Sequence, residues 1–194
     1  MTNDKSQMTN SLKNRSLFLI GMMGAGKTTI GHLLAKQLHY RFFDTDALIE
    51  QVKGQSVTEI FRNLGEAEFR KLESQVLAEL SACTCSVIAT GGGIVLQRMN
   101  WSYLYHGIVV WLDVPVEQLY RRLQADSTRP LLNGTNPLER LQHLHAERHH
   151  LYAQADLRVS IAENEFPTQV AQRILELIPG ILKPEAVPPD LAQN

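Results

Sequence analysis

The chain has 194 residues, 44% of them hydrophobic and 20% charged, with a formal net charge of −1. These values predict one globular domain with its own core. They exclude a protein drawn by its overall charge to nucleic acid or an anionic membrane, so any anion site must be local. Cys83 and Cys85 are the only cysteines, too close together to bridge separate elements; so few fit a reducing compartment and make a poor metal site.

In chain order, residues 1–15 (MTNDKSQMTNSLKNR) form a polar extension without the apolar run of a leader. No stretch is long and apolar enough to cross a membrane, so a cytoplasmic location is expected. SLFLIG (16–21) reads as a buried strand, and KTTIGHLLAKQLH (27–39) as a helix with Ile30, Leu33, Leu34 and Leu38 on one face. RFFDTD (41–46) is a second strand. Helices follow at about 46–53, 57–64 and 66–81. SVIAT (86–90), GIVVWLD (107–113) and LRVSI (157–161) are three more strands, separated by helices at about 115–125 and 137–153. A last helix near 167–178 precedes a proline-rich tail, 179–194. Short apolar strands alternating with helices predict an α/β fold, three layers around a five-stranded parallel sheet. Such sheets bind ligands beyond the carboxyl ends of their strands.

GMMGAGKT (21–28) follows the first strand and opens the first helix. It fits G-x-x-x-x-G-K-[ST] in the context that this pattern requires. Backbone N–H groups there can curl around phosphate oxygens, aided by the helix dipole. Gly24, Ala25, Gly26, Lys27, Thr28 and Thr29 are therefore expected around the phosphates of ATP. Lys27 would span the β- and γ-phosphates, and Thr28 would offer its hydroxyl to Mg²⁺. A second carboxylate should stand near the metal at a strand end, and the residues leave both Asp44 and Asp113 open.

Other features are not explained by ATP. Asp46 lies two residues past Asp44; it either caps the next helix or accepts a proton from an acceptor hydroxyl. Arg70 adjoins the apolar stripe of its helix, one turn from Glu73, which makes either a surface ion pair or an anion grip. Arg148 falls on the inward face set by Leu141, Leu144 and Leu151, where an arginine requires an anion, either a protein carboxylate or a ligand. His145 and His149 are one turn apart, but without a third ligand a solvated face is expected. Gly91, Gly92 and Gly93 end the third strand, so either the turn is sharp or something lies against bare backbone. The segment DSTRPLLNGTNP (126–137) has the length of a lid.

LIGMMGAGKTT, FFDTDALIE, GEAEFRKLE, ATGGGIVL, TRPLL and ERHHLYAQAD together, in this order, resemble the shikimate kinase family. The resemblance covers about residues 16–176 as a single domain, taken here as 16–178. It implies a P-loop fold of the nucleoside monophosphate kinase type and transfer of the γ-phosphoryl of ATP to the 3-hydroxyl of shikimate, with Mg²⁺. By position, it makes Asp46 the hydroxyl partner and candidate base, with Lys27 and Arg129 acting on the phosphates. It places Arg70 and Arg148 on the shikimate carboxylate and Gly91, Gly92 and Gly93 in the pocket floor. It puts Arg122 on adenine and favours Asp44 over Asp113 as the water-mediated Mg²⁺ partner. Met22, Ala25 and His150 depart from common family residues, and His150, standing where proline is frequent, could loosen its helix. A monomer is expected, since no extra apolar helix face calls for a partner. Rival readings are a gluconate kinase-like enzyme, a nucleoside monophosphate kinase and a nucleotide-binding regulator without catalysis.

Overall fold

The computed structural model describes residue 12 and residues 14–124 and 136–182. Five strands, β1 (Leu17–Ile20), β2 (Arg41–Asp44), β3 (Ser86–Ala89), β4 (Ile108–Asp113) and β5 (Leu157–Ser160), form one sheet in the order β2-β3-β1-β4-β5. Every pairing is parallel, and Leu17 lies opposite Val87 on one side and Ile108 on the other. β1 and β3 are buried along their whole length. That is why SLFLIG and SVIAT are continuous apolar runs without alternation.

Among the described residues, seven helices accompany the strands: α1 (Lys27–Leu38), α2 (Thr45–Lys53), α3 (Val57–Ser81), α4 (Arg98–Leu104), α5 (Val116–Leu123), α6 (Pro137–Tyr152) and α7 (Pro167–Ile181). α1 and α7 pack on each other, while α3, α4 and α6 gather around a short 3₁₀ turn, Ile94–Leu96. Among the described residues, no helix is long and apolar enough to cross a membrane.

The two helices expected at 57–64 and 66–81 are both present and meet within α3, where Gly65 (φ 82°, ψ 168°) breaks the helical backbone in a conformation that favours glycine. The structure differs from the sequence expectation at several other points. The turn at 94–96 and α4 were not expected. Asn100 Nδ2 and Trp101 Nε1 hold that segment by donating to the Ile94 and Val95 carbonyls. Leu12 is 1% exposed in the core, and Asn14 O accepts from Cys85 N. The folded unit thus reaches back into the segment read as a polar extension. α7 runs past Pro179 to Ile181, because Ile174, Leu175 and Ile178 are buried and Ile181 continues that face against the core. Burial there offsets the missing proline N–H in the last turn. His150 does not loosen α6, which continues to Tyr152.

With β3 and β4 on either side of β1, the loops leaving β1 and β3 lie side by side. Thr90 fastens them together, its N–H and Oγ1 both donating to Leu19 O.

Candidate active site

The loop after β1 turns at Gly21 (φ 139°), where a Cβ would come within 2.6 Å of the Leu112 carbonyl oxygen. Gly24 and Gly26 also have positive φ. These backbone demands explain the glycine spacing independently of any ligand. The Lys27 side chain folds over the loop, its Nζ donating to Gly21 O and Met22 O at 2.8 Å each. Gly24, Gly26, Lys27, Thr28 and Thr29 wall a cavity of about 860 Å³ that also reaches Asp44 and Asp46. Beside it, Ala25, Arg122, Glu165 and Pro167 help to line a second cavity of about 350 Å³. Arg122 reaches back to the loop, Nη1 donating to Gly24 O at 3.1 Å, and its partial burial pushes its pKa down.

The structure separates Asp44 from Asp113. Thr28 Oγ1 donates to Asp44 Oδ2 at 2.7 Å. Asp44 Oδ1 accepts from the N–H groups of Asp46 and Ala47, so Asp44, not Asp46, caps α2. Asp113 is engaged elsewhere: its Oδ2 accepts from Arg158 at 2.7 and 3.0 Å, and that guanidinium lies over Trp111. Two oxygens of the hard kind that Mg²⁺ prefers therefore meet at Thr28 and Asp44.

A third cavity, small at about 60 Å³, is lined by Asp46, Arg70, Glu73, Arg148 and the three glycines, with Phe61 and Phe69 as apolar walls. Met23, Asp46, Val57 and Gly92 border both this cavity and the large one, so the two are continuous. Arg70 is only 8% exposed, which rules out the surface ion pair. Its Nη1 donates to Glu73 Oε2 at 2.6 Å and its Nη2 to Glu66 Oε1 at 2.9 Å. Arg148 is 2% exposed, and Nη1 donates to Gly92 O at 3.3 Å. Tyr152, one turn further along α6, donates to the same oxygen at 2.6 Å.

The glycines have a reason that the sequence did not reveal. A Cβ on Gly91 would overlap Glu73 Oε1 and approach Asp46 Oδ1 to 2.8 Å, and one on Gly93 would overlap the Arg70 guanidinium. The missing side chains make room first for the protein's own charged groups. Gly91 N–H is used within the protein, donating to Thr45 Oγ1 at 2.9 Å. Glu73 has no exposed surface, and burial pushes its carboxyl up to about 7, with Arg70 pulling against it and Asp46 adding to it. Burial likewise pushes the Tyr152 hydroxyl up to about 12, so it remains a donor to Gly92 O at neutral pH.

Arg129, and residues 126–135 of the expected lid, lie outside the described residues; Asn136 caps α6 by accepting from Glu139 N. His145 and His149 pack ring against ring, with His149 edge-on to Trp111, and no group of three metal-ligating side chains exists among the described residues. Sequence reasoning missed Tyr152 and Thr45. Tyr152 had a usable signal, since it lies four residues past Arg148 and so on the same helix face. Thr45 had none.

A parallel sheet with a phosphate loop beyond its central strand, and an acceptor cavity opening from that loop, defines a P-loop phosphotransferase of the nucleoside monophosphate kinase type. The family model described as shikimate kinase matches residues 23–179. A shikimate kinase from Microcystis aeruginosa is 54% identical over 180 residues, covering 93% of this chain and 95% of that protein. One from Nostoc sp. is 54% identical over 92% of this chain and 99% of its own length. The solved structure of shikimate kinase from Acinetobacter baumannii in complex with shikimate superposes with a TM-score of 0.82 at 40% identity, covering 88% of this chain and 96% of that one. The chain belongs to the shikimate kinase family.

Proposed function

We propose that this chain transfers the γ-phosphoryl group of ATP to the 3-hydroxyl of shikimate, giving shikimate 3-phosphate and ADP. The observation that carries this reading is the convergence of the Asp46 carboxylate, the Glu73–Arg70 pair and the buried Arg148 on a cavity continuous with the phosphate loop. A hydroxyl acceptor benefits from a carboxylate that takes its proton, whereas a phosphate acceptor does not need one. The arginines suit a planar carboxylate on the same acceptor through paired hydrogen bonds.

ATP lays its phosphates over Gly24–Thr29, and Lys27 leaves the loop carbonyls to meet them. Thr28 and Asp44 would hold Mg²⁺. When bound, that ion offsets phosphate charge. Arg70 and Arg148 fix the ring so that its 3-hydroxyl faces Asp46 and the γ-phosphorus. The hydroxyl oxygen forms the new bond to phosphorus as its proton passes to Asp46, and the bond to the ADP oxygen breaks. Arg129 supplies positive charge to the transferring group, and Arg122 packs on adenine. Closure of 126–137 excludes water, which would compete as an acceptor. The enzyme works as a cytoplasmic monomer on small molecules alone, with no nucleic-acid or membrane partner; its near-zero net charge supports that reading.

A coupled ADP-release assay with ATP and Mg²⁺ tests the reaction. Release is expected with shikimate and not with gluconate or AMP. ATP binding without shikimate-dependent release would favour a nucleotide-binding regulator.

A further inference from the structure

The turn at Ala162–Glu165, between β5 and α7, is held by an unusual number of side chains. From α5, the Gln118 Nε2 donates to Ala162 O at 3.3 Å and to Glu163 O at 3.5 Å, and Arg121 pairs with the Glu163 carboxylate. From α7, Arg173 Nη2 donates to Ser160 O at 2.7 Å and Glu165 Oε2 at 3.0 Å. Glu165 Oε2 also accepts from Ala162 N. A surface turn with no task would not call on two helices. This one borders the 350 Å³ cavity, whose lining includes Glu165 and Pro167 together with Gly24 and Arg122. Arg122 sits one turn past Gln118 on the same helix. α5 therefore reaches the cavity lining twice, directly with its own arginine and indirectly through the hold of Gln118 on the 162–165 turn.

Gln118 is also chemically out of place. It is 4% exposed, and its Oε1 is buried with no hydrogen-bond partner among the described residues. A buried polar atom left unpaired destabilises the fold, so stability alone would favour methionine or leucine here. The amide is needed for what its Nε2 holds.

We propose that Gln118 is a positioning residue for the nucleotide. It does not line the cavity; it fixes the 162–165 turn at the distance from Arg122 that fits a flat purine base. This rests on the reading of that cavity as the base side of the ATP site. Loss of the amide loosens the wall, weakening binding of the base while leaving the phosphate loop and the acceptor cavity intact.

Calorimetric titration of the full chain with ADP and with inorganic pyrophosphate, each with Mg²⁺, tests this. Wild type should bind ADP more tightly than pyrophosphate. Q118M should bind ADP about five- to tenfold more weakly, the range for losing one or two neutral hydrogen bonds. Pyrophosphate affinity and the KM for shikimate should stay within about twofold, and Tm should not fall. A folded Q118M that binds ADP like wild type would overturn the inference, as would equal weakening of both ligands. If Q118M does not fold, R121Q loosens the same turn from the surface. A two- to threefold weakening confined to ADP would then support the proposal, and no change would overturn it. Wild type binding ADP no more tightly than pyrophosphate would overturn the base-cavity reading itself, and the inference with it.

Discussion

Arg70 Nη1 and Glu73 Oε2 stand 2.6 Å apart, one turn from each other on α3, and the carboxylate of the pair has no exposed surface. The pair faces Asp46 from α2, the Gly91–Gly93 turn, and Arg148 and Tyr152 from α6. Burial inside the acceptor cavity pushes the Glu73 carboxyl up to about 7. An acceptor carboxylate bound between Arg70 and Arg148 adds negative charge nearby and raises that pKa further. Acceptor binding should therefore take up a proton, and the KM for shikimate should fall as the pH drops from 8 to 6. Titration calorimetry in buffers of different ionisation enthalpy reads the uptake directly. E73Q should lose both the uptake and this part of the pH dependence.

The same group links pH to stability. Its folded pKa of about 7 lies above the unfolded value of 4.5. The native state therefore binds more protons across that interval, and stability falls as pH rises through it. Glu73 contributes most favourably below the unfolded value, and its burial is most costly above 7. Denaturant midpoints measured between pH 5 and 8 should decline for the wild type relative to E73Q. A difference that did not vary with pH would show that Glu73 does not titrate in this window.

Gly91→Ala and Gly93→Ala should damage the site by different routes. Each added methyl meets a buried charged group rather than open space. At Gly91 the displaced groups are Glu73 and Asp46, so kcat should fall. At Gly93 the displaced group is Arg70, so the KM for shikimate should rise with a smaller change in kcat. Either substitution should cost about 1–3 kcal/mol of stability through overpacking. Gly92→Ala should be the mildest, since its nearest contact would be Met23 N at 3.3 Å.

Tyr152→Phe removes the bond to Gly92 O and the weaker one to Met22 Sδ at 3.6 Å without changing the packing on Trp111, whose ring stacks on Tyr152 at 5.8 Å. Gly92 O would then keep only the longer bond from Arg148. A loss of about 0.5–1.5 kcal/mol of stability is expected, with a few-fold rise in the KM for shikimate and no change for ATP. Parallel shifts in both KM values would mean that the hydroxyl supports the whole domain rather than the acceptor turn.

The central strands β1, β3 and β4 were legible as short apolar runs, and the phosphate loop because backbone geometry dictates its glycines. α4 was not legible. RMNWSYL carries no strong helical stripe, and its hold comes from Asn100 and Trp101 reaching the 3₁₀ turn. The burial of Glu73 was also hidden, because an i,i+3 Arg–Glu pair looks the same in sequence whether it faces water or the core. Only the fold places Gly91 and Gly93 against it.

Asp44 and Asp46 differ by two positions but should fail in different ways. Asp44 bonds Thr28 and caps α2. Asp44→Ala should therefore cost about 0.5–2 kcal/mol of stability as a lost cap, and should raise the Mg²⁺ concentration needed for half-maximal rate. Asp46 is in the first turn of α2 but supplies none of that cap. Asp46→Asn should leave Tm and the Mg²⁺ requirement near wild type while cutting kcat by roughly 10²–10⁴. Asp113→Asn, which breaks only the pair with Arg158, should change neither. Mg²⁺ titrations of kcat for the three variants separate these roles. A raised Mg²⁺ requirement in Asp113→Asn would move the metal-side carboxylate to the end of β4. Full kcat in Asp46→Asn would leave that residue as a positioning group for the acceptor hydroxyl and require the proton to go elsewhere.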